Sequence, residues 1–141
     1  MLKGLDPLLV PELLLALAQM GHGDVVAVVD RNFPAHSVAR RTVELPGSTA
    51  EQVVRAVCSV LPVDTFGTPA VVHMLTAQGE ESPATPACRT AWRSAQAGPV
   101  AESGAGRTEF YESARRAYLT VRTGETLPYA CYLVTKGVVT A

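Results

Sequence analysis

The stretch "GHGDVVAVVDRNFPAHS", residues Gly21 to Ser37, decides the fold. Its centre, Val25 to Val29, is too short for a helix and too uniformly apolar for a strand with one wet face, so it predicts a strand buried on both faces. A strand of that kind needs helices above and below it.

The segment before it supplies the first helix. In "PELLLALAQM" the proline gives up no first-turn bond, and Leu13, Leu14, Leu17 and Ala18 fall on one face. Gly21 fits the left-handed position that ends helices. Downstream, Ser48 and Glu51 have capping-box spacing, and the helix they open places Val53, Val54, Val57, Val60 and Leu61 on its inner side before Pro62 stops it. "PAVVHMLT", Pro69 to Thr76, predicts a second core strand. Residues 77–106 are rich in Gly, Pro, Ser, Ala and Thr, with a short helix around "CRTAWRSAQ", and read as the variable surface part of the chain. "EFYESARRA" predicts a further helix, and "YLTVRTGE" and "YACYLVTKG" predict strands ending at Gly124 and Gly137.

Helices and strands thus alternate with no linker between them. The expectation is an α/β fold: one domain over residues 1–141, three layers (α/β/α), with a central, mostly parallel, mixed sheet. In such sheets the ligand crevice lies outside the strand ends. The loops after Gly21, Asp30 and Thr123 are the places to search.

Composition narrows the partners. A chain of 141 residues buries roughly two-thirds of its unfolded surface. With 12 Lys and Arg against 13 Asp and Glu, the net charge of −1 carries no footprint for a phosphate backbone, so nucleic acid is not expected as a partner. Arg40-Arg41 and Arg115-Arg116 read as solvated surface. Cys58, Cys88 and Cys131 are odd in number and lack zinc or CxxC spacing, which favours reduced thiols in the cytoplasm. Asp6, Pro7, Pro11 and Glu12 interrupt the leucine-rich start, so neither a signal peptide nor membrane contact is expected.

Chemistry concentrates at the ends of the central strand. His22, between two glycines, is uncrowded, and an imidazole with its ordinary pKa near 6.5 gives and takes protons at neutral pH; the same spacing also fits a plain turn with a surface histidine. Asp24 either orients His22 or bonds its own turn. Asp30, at the end of a buried strand, either grips ligand hydroxyls or bonds loop amides. Phe33 offers a flat apolar surface in "FPAHS", which ends near His36. His73, inside an apolar strand, reads as a hydrogen-bonded core histidine, and Arg107 has forked donors that can reach a hydroxyl. His22, Asp24, Asp30 and His36 lack the spacing of a metal site, and GxSxG, P-loop, GxGxxG and CxxC motifs are absent. What remains is acid/base work on a small polar molecule.

"LVPELLLALAQMGHGD", the "FPAHS" loop, "EFYESARRAY", the "TGE" turn and the C-terminal "YACYLVTKG" together resemble the ribose pyranase and fucose mutarotase family, nearer to the L-fucose mutarotase branch. The resemblance implies a cofactor-free isomerase that interconverts the α and β anomers of an unphosphorylated monosaccharide. It implies His22 as proton donor and Asp30, Arg107, Tyr129, Ala130 and Cys131 as sugar-binding positions, with no metal. It also implies a ring-shaped homo-oligomer, a decamer or smaller, with the site at a subunit interface. Where the family has Tyr-Gly-Asn or Tyr-Ala-Asn, this chain has "YAC", and a thiol is a poorer hydrogen-bonding group than an amide. That departure motivates an alternative, a non-catalytic sugar-binding or regulatory module of the same fold.

Overall fold

The computed structural model describes residues 2–67 and 69–140; residues 1, 68 and 141 of the expected domain span lie outside it. In chain order the elements are α1 (Pro11–Gln19), β1 (Val25–Val29), α2 (Ala35–Val38), β2 (Thr42–Leu45), α3 (Ala50–Cys58), β3 (Val71–Met74), α4 (Thr85–Ser94), β4 (Glu102–Ala105), α5 (Arg107–Arg116), β5 (Leu119–Thr123) and β6 (Tyr132–Thr135). The strands form one sheet in the order β2-β5-β1-β6-β3-β4. β1 and β2 each run parallel to β5, and β3 parallel to β4, while β6 is antiparallel to both β1 and β3. The sheet is therefore mixed and mostly parallel, with β1 near its centre.

Side chains alternate across β1, and each face finds a helix layer. Val26 and Val28 join Leu13 and Leu17 of α1, Val53, Val54 and Val57 of α3, and Trp92 of α4. Ala27 and Val29 join Phe33, Phe110 and Ala114 of the opposite layer. Each fully buried valine contributes about 1.5–3 kcal/mol by leaving water, so "VVAVV" anchors both cores at once.

Local details differ from expectation for identifiable reasons. The capping box of α3 is Thr49 with Gln52, one residue later than Ser48 and Glu51. Ser48 instead donates its hydroxyl to the Leu45 carbonyl at 2.7 Å, and Glu51 pairs with Arg55. Gly21 does not end α1 in a left-handed conformation; Gly23 carries the positive φ, 89°. The end of α1 is served from across the sheet, where Lys136 Nζ donates to the Leu17 and Met20 carbonyls at 2.8 and 2.6 Å. Residues 77–106 are not merely surface. They contain β4, and Trp92 and Cys88 are fully buried, the indole N–H donating to Glu102 at 3.0 Å. Edge strands β2 and β4 were not expected: "TVEL" alternates, with Val43 and Leu45 buried, but over only four residues, and "ESGA" mixes charged and small residues without apolar alternation. Among the described residues no helix is long and apolar enough to cross a membrane.

Candidate functional site

The two polar ends of β1 lie at opposite strand ends of the sheet, five strand residues apart, or roughly 17 Å at strand rise. Each end is a distinct chemical environment.

At the C-terminal end, a cavity of about 190 Å³ opens among Asp30, Asn32, Phe33, Met74, Arg107, Tyr111, Pro128, Tyr129 and Cys131. It sits where β1, β3 and β4 end and the loop from β5 leads into β6, the crevice position of an open α/β sheet. Asp30 follows the last residue of β1, and its Oδ1 accepts from the Asn32 N–H at 2.9 Å. Its Oδ2 accepts from the Cys131 thiol at 3.6 Å. Burial raises the Asp30 carboxyl above its ordinary range, against the lowering effect of those hydrogen bonds. The Cys131 thiol is raised well above the usual thiol range by burial and then by Asp30, so it is a neutral donor. Phe33 and Tyr111 meet at 4.9 Å between ring centroids, giving the cavity an apolar wall. Arg107 opens α5 with its guanidinium 5.8 Å from the Tyr111 ring. Burial raises the Tyr111 hydroxyl above its ordinary value, so it stays protonated at neutral pH. Tyr129 has φ of 58°, a left-handed conformation costing a bulky residue about 1–3 kcal/mol, which the surrounding loop must hold.

At the N-terminal end, Asp24 closes the turn by accepting from the Gly21 N–H at 2.7 Å and does not orient His22. The partner of His22 is Asp64, whose Oδ1 is 3.1 Å from Nε2. Hydrogen bonds from the Phe66 N–H first, then from Gly67 and His22, hold the Asp64 carboxyl below its ordinary range despite burial. An ionised carboxylate only accepts, so the His22 proton resides on Nε2 and Nδ1 is the basic nitrogen of the neutral ring. The imidazole is half-exposed and meets the edge of Phe66, itself 74% exposed, at 5.6 Å.

The structure thus brings Asp30, Arg107, Tyr129 and Cys131 together and leaves His22 apart. Of the loops after Gly21, Asp30 and Thr123, the last two meet at the cavity and the first lies at the other end of β1. Ala130 is fully buried in the core and its side chain does not line the cavity. His36 pairs with Glu44 on the surface at 3.2 Å and takes no part in the crevice wall. His73 is buried but not hydrogen-bonded as expected, its Nδ1 lacking a partner among the described residues. Its nitrogen, Glu81 and Glu102 offer donor atoms within 4.8 Å of one another. Arg89 already donates to both carboxylates, so that trio is a structural ion network, not an open metal site. Asp64, Met74 and Tyr111 were missed by sequence reasoning. The signal for Asp64 was the Asp-Thr-Phe-Gly turn after Pro62, in which an Asp bonds amides two and three residues on.

Sheet, crevice and lining define an α/β protein with a small, mostly apolar pocket that carries a few polar groups, of the kind that takes a single compact ligand. Residues 3–139 match the model of the RbsD / FucU transport protein family, and the chain belongs to that family. It is 40% identical to the fucose mutarotase of Bos taurus, over 97% of this chain and 94% of that one. It is 33% identical to the L-fucose mutarotase of Histophilus somni strain 129Pt, over 98% and 97% of the two chains. The solved structure of the fucose mutarotase of Streptococcus pneumoniae in complex with L-fucose superposes with a TM-score of 0.91 at 28% identity, covering 99% of this chain and 100% of that one.

Proposed function

We propose that this protein is a monosaccharide mutarotase, an isomerase interconverting the α and β anomers of an unphosphorylated, L-fucose-like sugar. The supporting observation is the cavity at the end of β1, which sets a carboxylate, an arginine and tyrosines against an apolar wall. Similarity to fucose mutarotases over nearly the whole chain points the same way.

The separation of His22 from that cavity leads to the second part of the proposal. A second copy of the chain inserts its His22–Asp64 pair, with Phe66, at the mouth of the pocket. Phe66 and Val139 are strongly exposed, and Val139 lines an apolar cleft with Leu14, Leu17 and Val60 beside Lys136, whose carbonyl accepts from Gly23. That apolar surface suits self-association into a ring-shaped homo-oligomer. The three free, buried thiols suit a reducing compartment such as the cytoplasm.

In the reaction, the anomeric hydroxyl loses its proton, the ring C–O bond opens, and the ring oxygen gains a proton; reversal on the other face gives the second anomer. His22 exchanges protons with the sugar through Nδ1, while Asp64 fixes the orientation of the ring. Asp30 and Arg107 grip hydroxyls, and Phe33 and Tyr111 receive the C–H face. Water catalyses the reaction slowly, so acid/base help of about 10² to 10⁴ with orientation suffices.

Exchange between α and β anomeric protons, read by saturation-difference NMR for fucose, ribose and galactose, tests the activity. Acceleration for none of them removes it. Co-expression of His22→Ala with Asp30→Asn tests the shared site: activity restored in the mixed oligomer supports it, and activity no greater than that of either variant removes it. The Cys131–Asp30 contact supports the alternative, a sugar-binding module without turnover. Calorimetric binding without anomer exchange would select it.

A further inference from the structure

The loop from β5 to β6 carries three cavity residues, Pro128, Tyr129 and Cys131, and one buried side chain, Glu125, makes three of the hydrogen bonds that hold it. Glu125 is 8% exposed. Its Oε1 accepts from the N–H of Ala50, the first residue of α3, at 3.1 Å. Its Oε2 accepts from the Thr126 and Leu127 N–H groups at 2.9 and 3.2 Å. The Ala50 N–H has no partner within its own helix, and a negative side chain is favoured at a helix start, so one group meets a need of the helix and folds the loop. The loop is fixed at both sides of this clamp. Before it, Gly124 lies so close to Pro46 that an added Cβ would stand 2.0 Å from the carbonyl oxygen, and Arg31 donates to the Gly124 carbonyl at 2.7 and 3.0 Å. After it, Ser82, fully buried, donates to the Pro128 carbonyl at 2.6 Å. The next residue is Tyr129, with its left-handed φ of 58°. A tyrosine has no intrinsic reason to hold that conformation, so something must restrain it.

We infer that Glu125, assisted by Ser82, is a positioning residue for sugar binding: it ties the loop to the start of α3 and so holds Tyr129 in its strained conformation over the cavity. The inference rests on the mutarotase reading, since it concerns the geometry of that site. Glu125 itself is absent from the cavity wall.

A double-mutant cycle tests it. Glu125→Gln keeps the size of the side chain but replaces one accepting oxygen with a donor, and should raise KM for the sugar about tenfold with a smaller change in kcat. Tyr129→Ala should raise KM similarly, and the double variant should be no worse than Tyr129→Ala alone. Additive losses, or an unchanged KM in Glu125→Gln, would overturn the assignment. Ser82→Ala, which removes only the bond to Pro128, should raise KM in the same direction if Glu125→Gln fails to fold; an unchanged KM there counts against the inference. Hydrogen exchange at the Thr126 and Leu127 amides reads the clamp without any sugar. Faster exchange in Glu125→Gln supports it, and unaltered exchange overturns it even if the protein proves to lack mutarotase activity, which would be a separate failure of the functional reading.

Discussion

The two ends of β1 carry aspartates used in opposite ways. At the C-terminal end Asp30 is desolvated at the floor of a cavity, and burial raises its carboxyl. At the N-terminal side Asp64 is also buried, yet backbone amides and His22 surround it and lower its carboxyl. The difference teaches that the balance decides: desolvation outweighs the hydrogen bonds at Asp30, and the bond from the Phe66 N–H outweighs desolvation at Asp64. Asp30 is left with accepting capacity for a ligand, and Asp64 has spent its own on orienting an imidazole.

The largest effect should come from removing the proton carrier at one end. His22→Ala should slow anomer exchange by about 10² to 10⁴ with little loss of thermal stability, because the side chain is half-exposed. An undiminished rate by NMR exchange would mean that the cavity end works alone.

Next, Asp64→Asn should lower unfolding free energy by about 1–3 kcal/mol, since the amide cannot accept from Phe66, Gly67 and His22 as the carboxylate does. The stabilisation from a lowered carboxyl is present above the ordinary value of about 3.9 and is lost as pH falls through the folded value. The penalty of the variant should therefore shrink in acid.

A smaller effect should separate the two aspartates by sign. Asp30 has a raised carboxyl, so its contribution to stability is full below about 3.9 and is lost as pH rises through the folded value. Asp30→Asn should then be more stable than the parent near neutral pH and lose that advantage by about pH 4, as followed by thermal unfolding. Equal behaviour of the two variants across pH would erase the contrast.

The smallest change concerns Cys131. Its thiol contacts Asp30 at 3.6 Å, where an amide would offer two donors and an acceptor. Cys131→Asn should tighten sugar binding severalfold, up to about tenfold, the worth of one added hydrogen bond. Isothermal calorimetry with L-fucose measures it, and weaker binding would show that the cavity is fitted to the thiol.

Much of the fold was legible because its determinants are local. "VVAVV" has the composition of a doubly buried strand, and β1 occupies Val25–Val29 as expected. Pro11 opens α1, β6 lies within the segment expected for it, and α5 overlaps "EFYESARRA" but starts earlier, at Arg107. Edge strand β4 was not legible, since its pairing with β3 rather than apolar side chains holds it, and the alternation in β2 spans only four residues. For the site, Asp30 declared itself as a charge ending a buried run, and Phe33 as a stiff apolar neighbour. Tyr111 and Met74 did not, because aromatic and thioether side chains at helix or strand positions look the same whether they face core or cavity.

The sequence by itself determined the α/β alternation, the buried central strand and the residue types available for acid/base chemistry. These follow from periodicity and from the cost of burying polar groups, properties of a few neighbouring residues. Only the tertiary structure decided which of those residues meet. It set Asp30 beside Cys131, 101 positions later in the chain, and set His22 against Asp64, 42 positions later. It also left His22 and Asp30 at opposite ends of β1, although only that strand lies between them. An extended strand carries the chain from one of its ends to the other, so nearness in sequence became distance in space.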